Sequence, residues 1–205
     1  MKYDVTRFKS LKSCLKELEP FILNGKHLQT GKPFKRFGGL RSRELLANWL
    51  LCVVVNSKLQ ADQFTFSSDP IGSDGLIVDT ATGEAWPTEH VLIPAGSADK
   101  GESIESLILK AISKKQSKGG AAYASGKTLV VFLNANGGQW FPNVAARHLP
   151  RQLDFDAVWV VCLHSVELGE YTYGVTRLDL SRGNAPGWMV RIGKEFDHWT
   201  VVPVQ

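Results

Sequence analysis

No run of apolar residues in this 205-residue chain approaches the ~20 needed to cross a bilayer, so a membrane-spanning helix is not expected. The first residues, Met-Lys-Tyr-Asp-Val-Thr-Arg, have no apolar signal-peptide core, and the expected location is the cytoplasm. Cysteine is scarce. Cys14, Cys52 and Cys162 are too few and too far apart for a disulfide framework or a zinc site, and each lies in an apolar run where a thiol acts as a small hydrophobe. The five histidines show no metal-ligand spacing such as H-x3-H. A phosphate-binding P-loop is also missing. Ala124-Ser125-Gly126-Lys127-Thr128 has Ala121 where the leading glycine should stand and precedes a strand instead of following one, so Lys127 is read as a turn residue. Internal repeats and low-complexity segments are absent too.

The composition that remains is that of a soluble globular protein, 43% hydrophobic and 21% charged. Its length suits a single domain spanning 1–205. The formal charge of +4 is unevenly spread. Lys26, Lys32, Lys35, Arg36, Arg41 and Arg43 precede the first acid after them, Glu44, in a stretch that also holds Gly25, Gly31, Pro33, Gly38 and Gly39. This reads as a basic loop leading into a helix, and Lys32, Lys35, Arg36, Arg41 and Arg43 are candidate contacts to a nucleic-acid backbone.

Periodicity orders the elements. Phe8, Leu11, Leu15, Leu18 and Ile22 mark an accessory helix over 7–22, weakened at its end by Pro20. A second helix over 42–56, capped by Ser42, shows a wide apolar face. Three strands follow, near 63–67, 75–79 and 84–93, the first two joined through Asp69-Pro70-Ile71-Gly72. An amphipathic helix covers 104–118 and stops at Gly119-Gly120; buried strands at 128–133 and 157–163 flank a short helical stretch near 143–148. Later strands are expected at 171–178 and 199–202. The class is α/β, a mixed central β-sheet flanked by helices, because the helix after the third strand must cross over to reach the fourth.

One hairpin carries chemistry. The turn Thr80-Ala81-Thr82-Gly83 separates two β-rich runs, and pairing Asp79 with Glu84 places Asp74 opposite Glu89. Both acids then emerge on a face shared with Leu76, Val78, Ala85 and Val91, while His90 points to the other face with Ile77 and Trp86 in a structural role. Facing carboxylates on an apolar face repel and need a neutraliser. Mg²⁺, or Mn²⁺, suits one or two carboxylates completed by water and phosphate. Joint ligation requires the two carboxyl groups to lie within about 8 Å. A register slip of one residue, for example at Gly83, would instead separate them. Tyr123 is expected to pack ahead of the buried strand.

This order of elements, with Asp74 on the second strand and Glu89 on the third, resembles the core of the PD-(D/E)xK, or restriction-endonuclease-like, nuclease superfamily over roughly residues 42–163. The resemblance divides the chain into an accessory helix and basic loop (1–40), a nuclease-like core (41–165) and C-terminal strands (166–205). It implies that Asp74 and Glu89 ligate Mg²⁺, that Glu44 on the helix assists, and that a lysine two residues after Glu89 helps activate water. That position is Val91. The lysine has three alternative explanations: it has moved to the next helix as Lys110 or Lys114, a second metal replaces it, or the domain binds without catalysis. The expected function is Mg²⁺-dependent hydrolysis of nucleic acid, DNA ahead of RNA, by a chain that does not engage membranes and could pair as a homodimer to cut both strands. A non-catalytic nucleic-acid- or protein-binding module is the alternative, and an enzyme acting on a small phosphorylated substrate is a third.

Overall fold

A computed structural model describes residues 10–69, 71–98, 101–134 and 139–204. The expected start of the first helix at Arg7 and Phe8, and Pro70 in the first interstrand joint, lie outside these ranges. Among the described residues the helices are α1 (Leu11–Leu23), α2 (Lys26–Thr30), α3 (Ser42–Leu59), α4 (Ile104–Ser117), α5 (Gly120–Ala124) and α6 (Pro142–Arg147). The strands are β1 (Phe64–Ser67), β2 (Leu76–Asp79), β3 (Ala85–Ile93), β4 (Thr128–Leu133), β5 (Ala157–Glu167), β6 (Glu170–Arg177), β7 (Gly187–Ile192) and β8 (Trp199–Pro203). They form one mixed sheet in the order β1 to β8. Neighbours run antiparallel except for β3–β4 and β4–β5, which are parallel. The parallel pairs need crossovers, and α4 with α5 makes the first and α6 the second.

Two layers of helix enclose the sheet. α3 is buried nearly all round, as a helix must be when both of its sides are covered. One side meets α1, where the Trp49 indole N–H donates to the Leu11 carbonyl at 2.9 Å, and the other meets Val130, Phe132, Val161 and Val175 of the sheet. On the opposite face Ile104, Ile108 and Ile112 of α4 pack on Ile93, Leu129, Val131 and Val160. Burying each such side chain contributes roughly 1.5–3 kcal/mol, so these two interfaces fix which way β3 and β4 face.

Several expectations need correcting. The basic segment is no open loop: it contains α2, a 3-10 turn at Lys35–Phe37 and a bridge from Pro33 to Arg41, anchored by buried Leu28, Phe37 and Leu40. Its glycines serve tight turns, with Gly31 and Gly38 at positive φ. Ser42 does not cap α3. Arg41 holds the cap position, and the Ser42 hydroxyl instead donates to the His27 carbonyl at 3.0 Å. α1 runs through Pro20 to Leu23. Cys14 and Cys52 are buried, while Cys162 is only half-buried. The strand β7 was not expected from the sequence.

Candidate active site

The hairpin forms in the expected register. Leu76 pairs with Pro87, Ile77 with Trp86 and Val78 with Ala85. At the turn the Asp79 N–H donates to the Glu84 carbonyl at 2.9 Å, and Gly83 takes φ 71°. The Asp79 carboxylate caps the turn by accepting from the N–H groups of Ala81 and Thr82. Beyond β2 the ladder continues: the Thr88 N–H donates to Gly75 at 2.8 Å and the Asp74 N–H donates to Thr88 at 2.9 Å. Asp74 is thus carried alongside Glu89, and its Oδ2 accepts from the His90 backbone N–H at 2.8 Å.

Glu89 and His90 face opposite layers, as alternation on β3 requires. Glu89 turns toward α4 and α5 with its side chain only 7% exposed. Its Oε2 accepts from the Lys115 ammonium at 2.9 Å and from the Tyr123 hydroxyl, and its Oε1 accepts from the Lys127 ammonium at 2.9 Å. Lys115 also donates to the Tyr123 oxygen at 3.1 Å and stands 3.8 Å from Asp74 Oδ2. Carboxylate oxygens this close to one nitrogen are necessarily within the roughly 8 Å that shared ligation of one ion allows.

The electrostatics follow from burial and these contacts. Burial pushes the Glu89 carboxyl upward, but hydrogen bonds from Tyr123, Lys127 and Lys115 and the charge of Lys115 outweigh it, so the group sits below its ordinary value. Burial lowers Lys115, yet Glu89, Tyr123 and Asp74 together raise it, which keeps the ammonium protonated. Tyr123 is raised by burial and by Glu89 and remains a donor.

On the other face His90 is buried, and its Nε2 lies 3.1 Å from Asn48 Oδ1 of α3. The Asn48 amide nitrogen donates to the Asp74 carbonyl at 3.5 Å, which leaves its oxygen to accept from His90 Nε2–H. Burial first, then Lys115 and Arg43, push His90 down to about 3, so the ring is neutral. Asn48 approaches so closely because Gly75 has no Cβ; one built there would lie 2.4 Å from the amide nitrogen.

The other expected residues are placed differently. Glu44 is buried at the start of α3, where its carboxylate accepts the Arg41 N–H at 2.8 Å and the Arg41 guanidinium at 3.4 Å. Burial raises its carboxyl, with the charge of Asp74 contributing. It therefore lies within electrostatic range of Asp74, while in this structure its carboxylate caps the start of α3. Lys110 is paired with Glu102 and Lys114 is exposed, so the lysine from α4 at this site is Lys115. Lys127 and Tyr123, read from sequence as turn and packing residues, both bond Glu89. Lys32, Lys35, Arg36 and Arg41 are exposed, whereas Arg43 is half-buried, reaches the Gln29 carbonyl at 3.4 Å and is lowered mainly by burial.

A divalent ion implied by the acidic pair can be tested against these donors. Among the described residues no group of three or more His, Cys, Asp or Glu side chains is arranged to hold a metal. Two carboxylates remain, Asp74 and Glu89, hard oxygen donors of the kind Mg²⁺ or Mn²⁺ accepts when water completes the shell. The donor chemistry fits an ion only where the Lys115 ammonium leaves Glu89 Oε2, with Lys127 remaining on Oε1. No known protein family, curated protein or solved structure matches this chain.

Proposed function

We propose that the protein is a Mg²⁺-dependent phosphodiesterase acting on nucleic acid, DNA ahead of RNA, as an endonuclease. The observation that carries this reading is one protonated lysine, Lys115, 2.9 Å from Glu89 and 3.8 Å from Asp74. Acid, acid and lysine are the components the PD-(D/E)xK resemblance calls for, with the lysine supplied by α4 instead of position 91. The succession α3, β1–β2–β3, α4 and parallel β4 is the element order on which that resemblance rests, and it supports the reading.

Asp74 and Glu89 would hold the ion, which when bound supplies water polarisation and charge compensation on phosphate. Lys115 keeps its proton in this setting, so its natural part is to donate to a non-bridging phosphate oxygen and not to take a proton from water. Tyr123 orients that ammonium through its hydroxyl. Lys32, Lys35, Arg36 and Arg41 supply exposed positive charge for the backbone.

The test is cleavage of linear and circular DNA with Mg²⁺ or with EDTA, by the parent and by Asp74→Asn and Glu89→Gln. Cleavage that needs Mg²⁺ and falls roughly 10²–10³-fold in each variant supports the reading, on the scale of removing one electrostatic stabiliser. Among Lys32, Lys35, Arg36 and Arg41, each alanine substitution that removes a duplex phosphate contact should flatten the salt dependence of binding by about 0.9 in log–log slope.

A second reading has its own observation. Glu89 already receives three donors, a balance that a binding module without catalysis would also satisfy. DNA binding that persists in EDTA, with no cleavage under Mg²⁺, would favour it.

A further inference from the structure

Glu89 has two ammonium partners, and they are not equivalent. Lys115 is shared among Glu89, Tyr123 and Asp74. Lys127 contacts only Glu89 among these acids, and its position is set by the backbone on both sides. Its N–H donates to the Ala124 carbonyl at 3.1 Å, its carbonyl accepts from the Asp156 N–H at 3.0 Å, and the neighbouring Gly126 N–H donates to the Asp156 carboxylate at 3.0 Å. Parallel pairing of Glu89 with Leu129 puts Lys127, two residues earlier, on the same face as Glu89. The Lys127 ammonium lies 4.4 Å from the Tyr123 ring centroid, a cation–π approach that steadies it further.

One buried carboxylate needs one compensating charge, and Lys127 supplies it from a fixed tether. We propose that Lys127 is a positioning residue that neutralises and orients Glu89, leaving Lys115 free to turn to the substrate phosphate. This role rests on the nuclease reading above. Its chemistry differs from that of a phosphate contact, because Lys127 acts on Glu89 and does not touch nucleic acid.

The test has two arms. In EDTA, ¹H–¹⁵N spectra of the lysine ammonium groups should show two protected signals, from Lys115 and Lys127, both lost in Glu89→Gln; a Lys127 signal insensitive to Glu89→Gln would overturn the proposal. With Mg²⁺ and DNA, Lys127→Met should lower kcat roughly 10–100-fold, the scale for groups supporting a metal ligand, while KM and the salt slope of metal-free binding stay unchanged. Lys127→Arg should restore most of the rate. A Lys127→Met variant that cleaves like an active parent overturns the positioning role and leaves the nuclease reading standing. A salt slope reduced by about 0.9 makes Lys127 a phosphate contact and overturns it as well. A parent that never cleaves nucleic acid overturns the nuclease reading and this role with it.

Discussion

Glu89 and His90 are consecutive residues of β3, both buried, and they meet opposite environments. On the α4 side Glu89 is held as an anion by two ammonium groups and a phenol. On the α3 side His90 is held neutral by burial and by the charges of Lys115 and Arg43, with its Nε2 on the Asn48 amide oxygen. The difference shows how a single strand can present charge to one layer and an uncharged clamp to the other. The two sides still cooperate, because the His90 backbone N–H and the Asn48 amide both bind Asp74, the second acid of the charged side.

The largest effect should come from breaking the charged side. Glu89→Leu leaves Lys115 and Lys127 half-buried without their common partner and should cost about 3–5 kcal/mol in urea unfolding. Lys115→Met or Lys127→Met leaves Glu89 one ammonium and should cost much less, so three equal losses would refute the shared arrangement.

Acid sharpens the comparison from the other side. The unfolded chain protonates a histidine near 6.5, whereas folded His90 does so at about 3, so the unfolded state binds more protons in between and stability must fall as pH drops through that window. At about 1.4 kcal/mol per unit this contribution is on the order of 3 kcal/mol between pH 6.5 and 4. His90→Gln, which can still donate to Asn48, should show a correspondingly flatter loss of stability over the same range. Parallel pH profiles for parent and variant would contradict a neutral buried ring.

The smallest effect is expected at Lys110 and Lys114. Both lie on the solvent side of α4, and their methionine variants should change stability by less than about 0.5 kcal/mol and leave turnover unchanged. A clear loss of turnover in either would move the lysine function away from Lys115.

The sequence made the hairpin legible because its turn and two β-rich runs leave little freedom in register, and with it the pairing of Asp74 and Glu89 and the opposite facing of His90. Lys115 was legible in principle. Ile104, Ile108 and Ile112 form the buried stripe of α4, and Lys115 lies three residues beyond Ile112, on that stripe's line, whereas Lys114 is turned away from it. Lys127 was hidden because its meeting with Glu89 depends on a parallel register set by a crossover, which no local pattern encodes. β7 was obscured by its burial, which does not alternate cleanly along Gly187–Ile192. The basic segment misled through its glycines, which mark turns here, while Leu28, Phe37 and Leu40 anchor it to the core.

The most direct measurement is Mg²⁺-dependent cleavage of DNA by the parent beside Lys115→Met, with both shown to be folded. Among the described residues Lys115 is the side chain that joins Asp74 to Glu89, so its neutral variant should cleave at least roughly 10²-fold more slowly. Equal cleavage by the two proteins, or none by the parent, would contradict the assignment of these three residues to one phosphodiester-hydrolysing site.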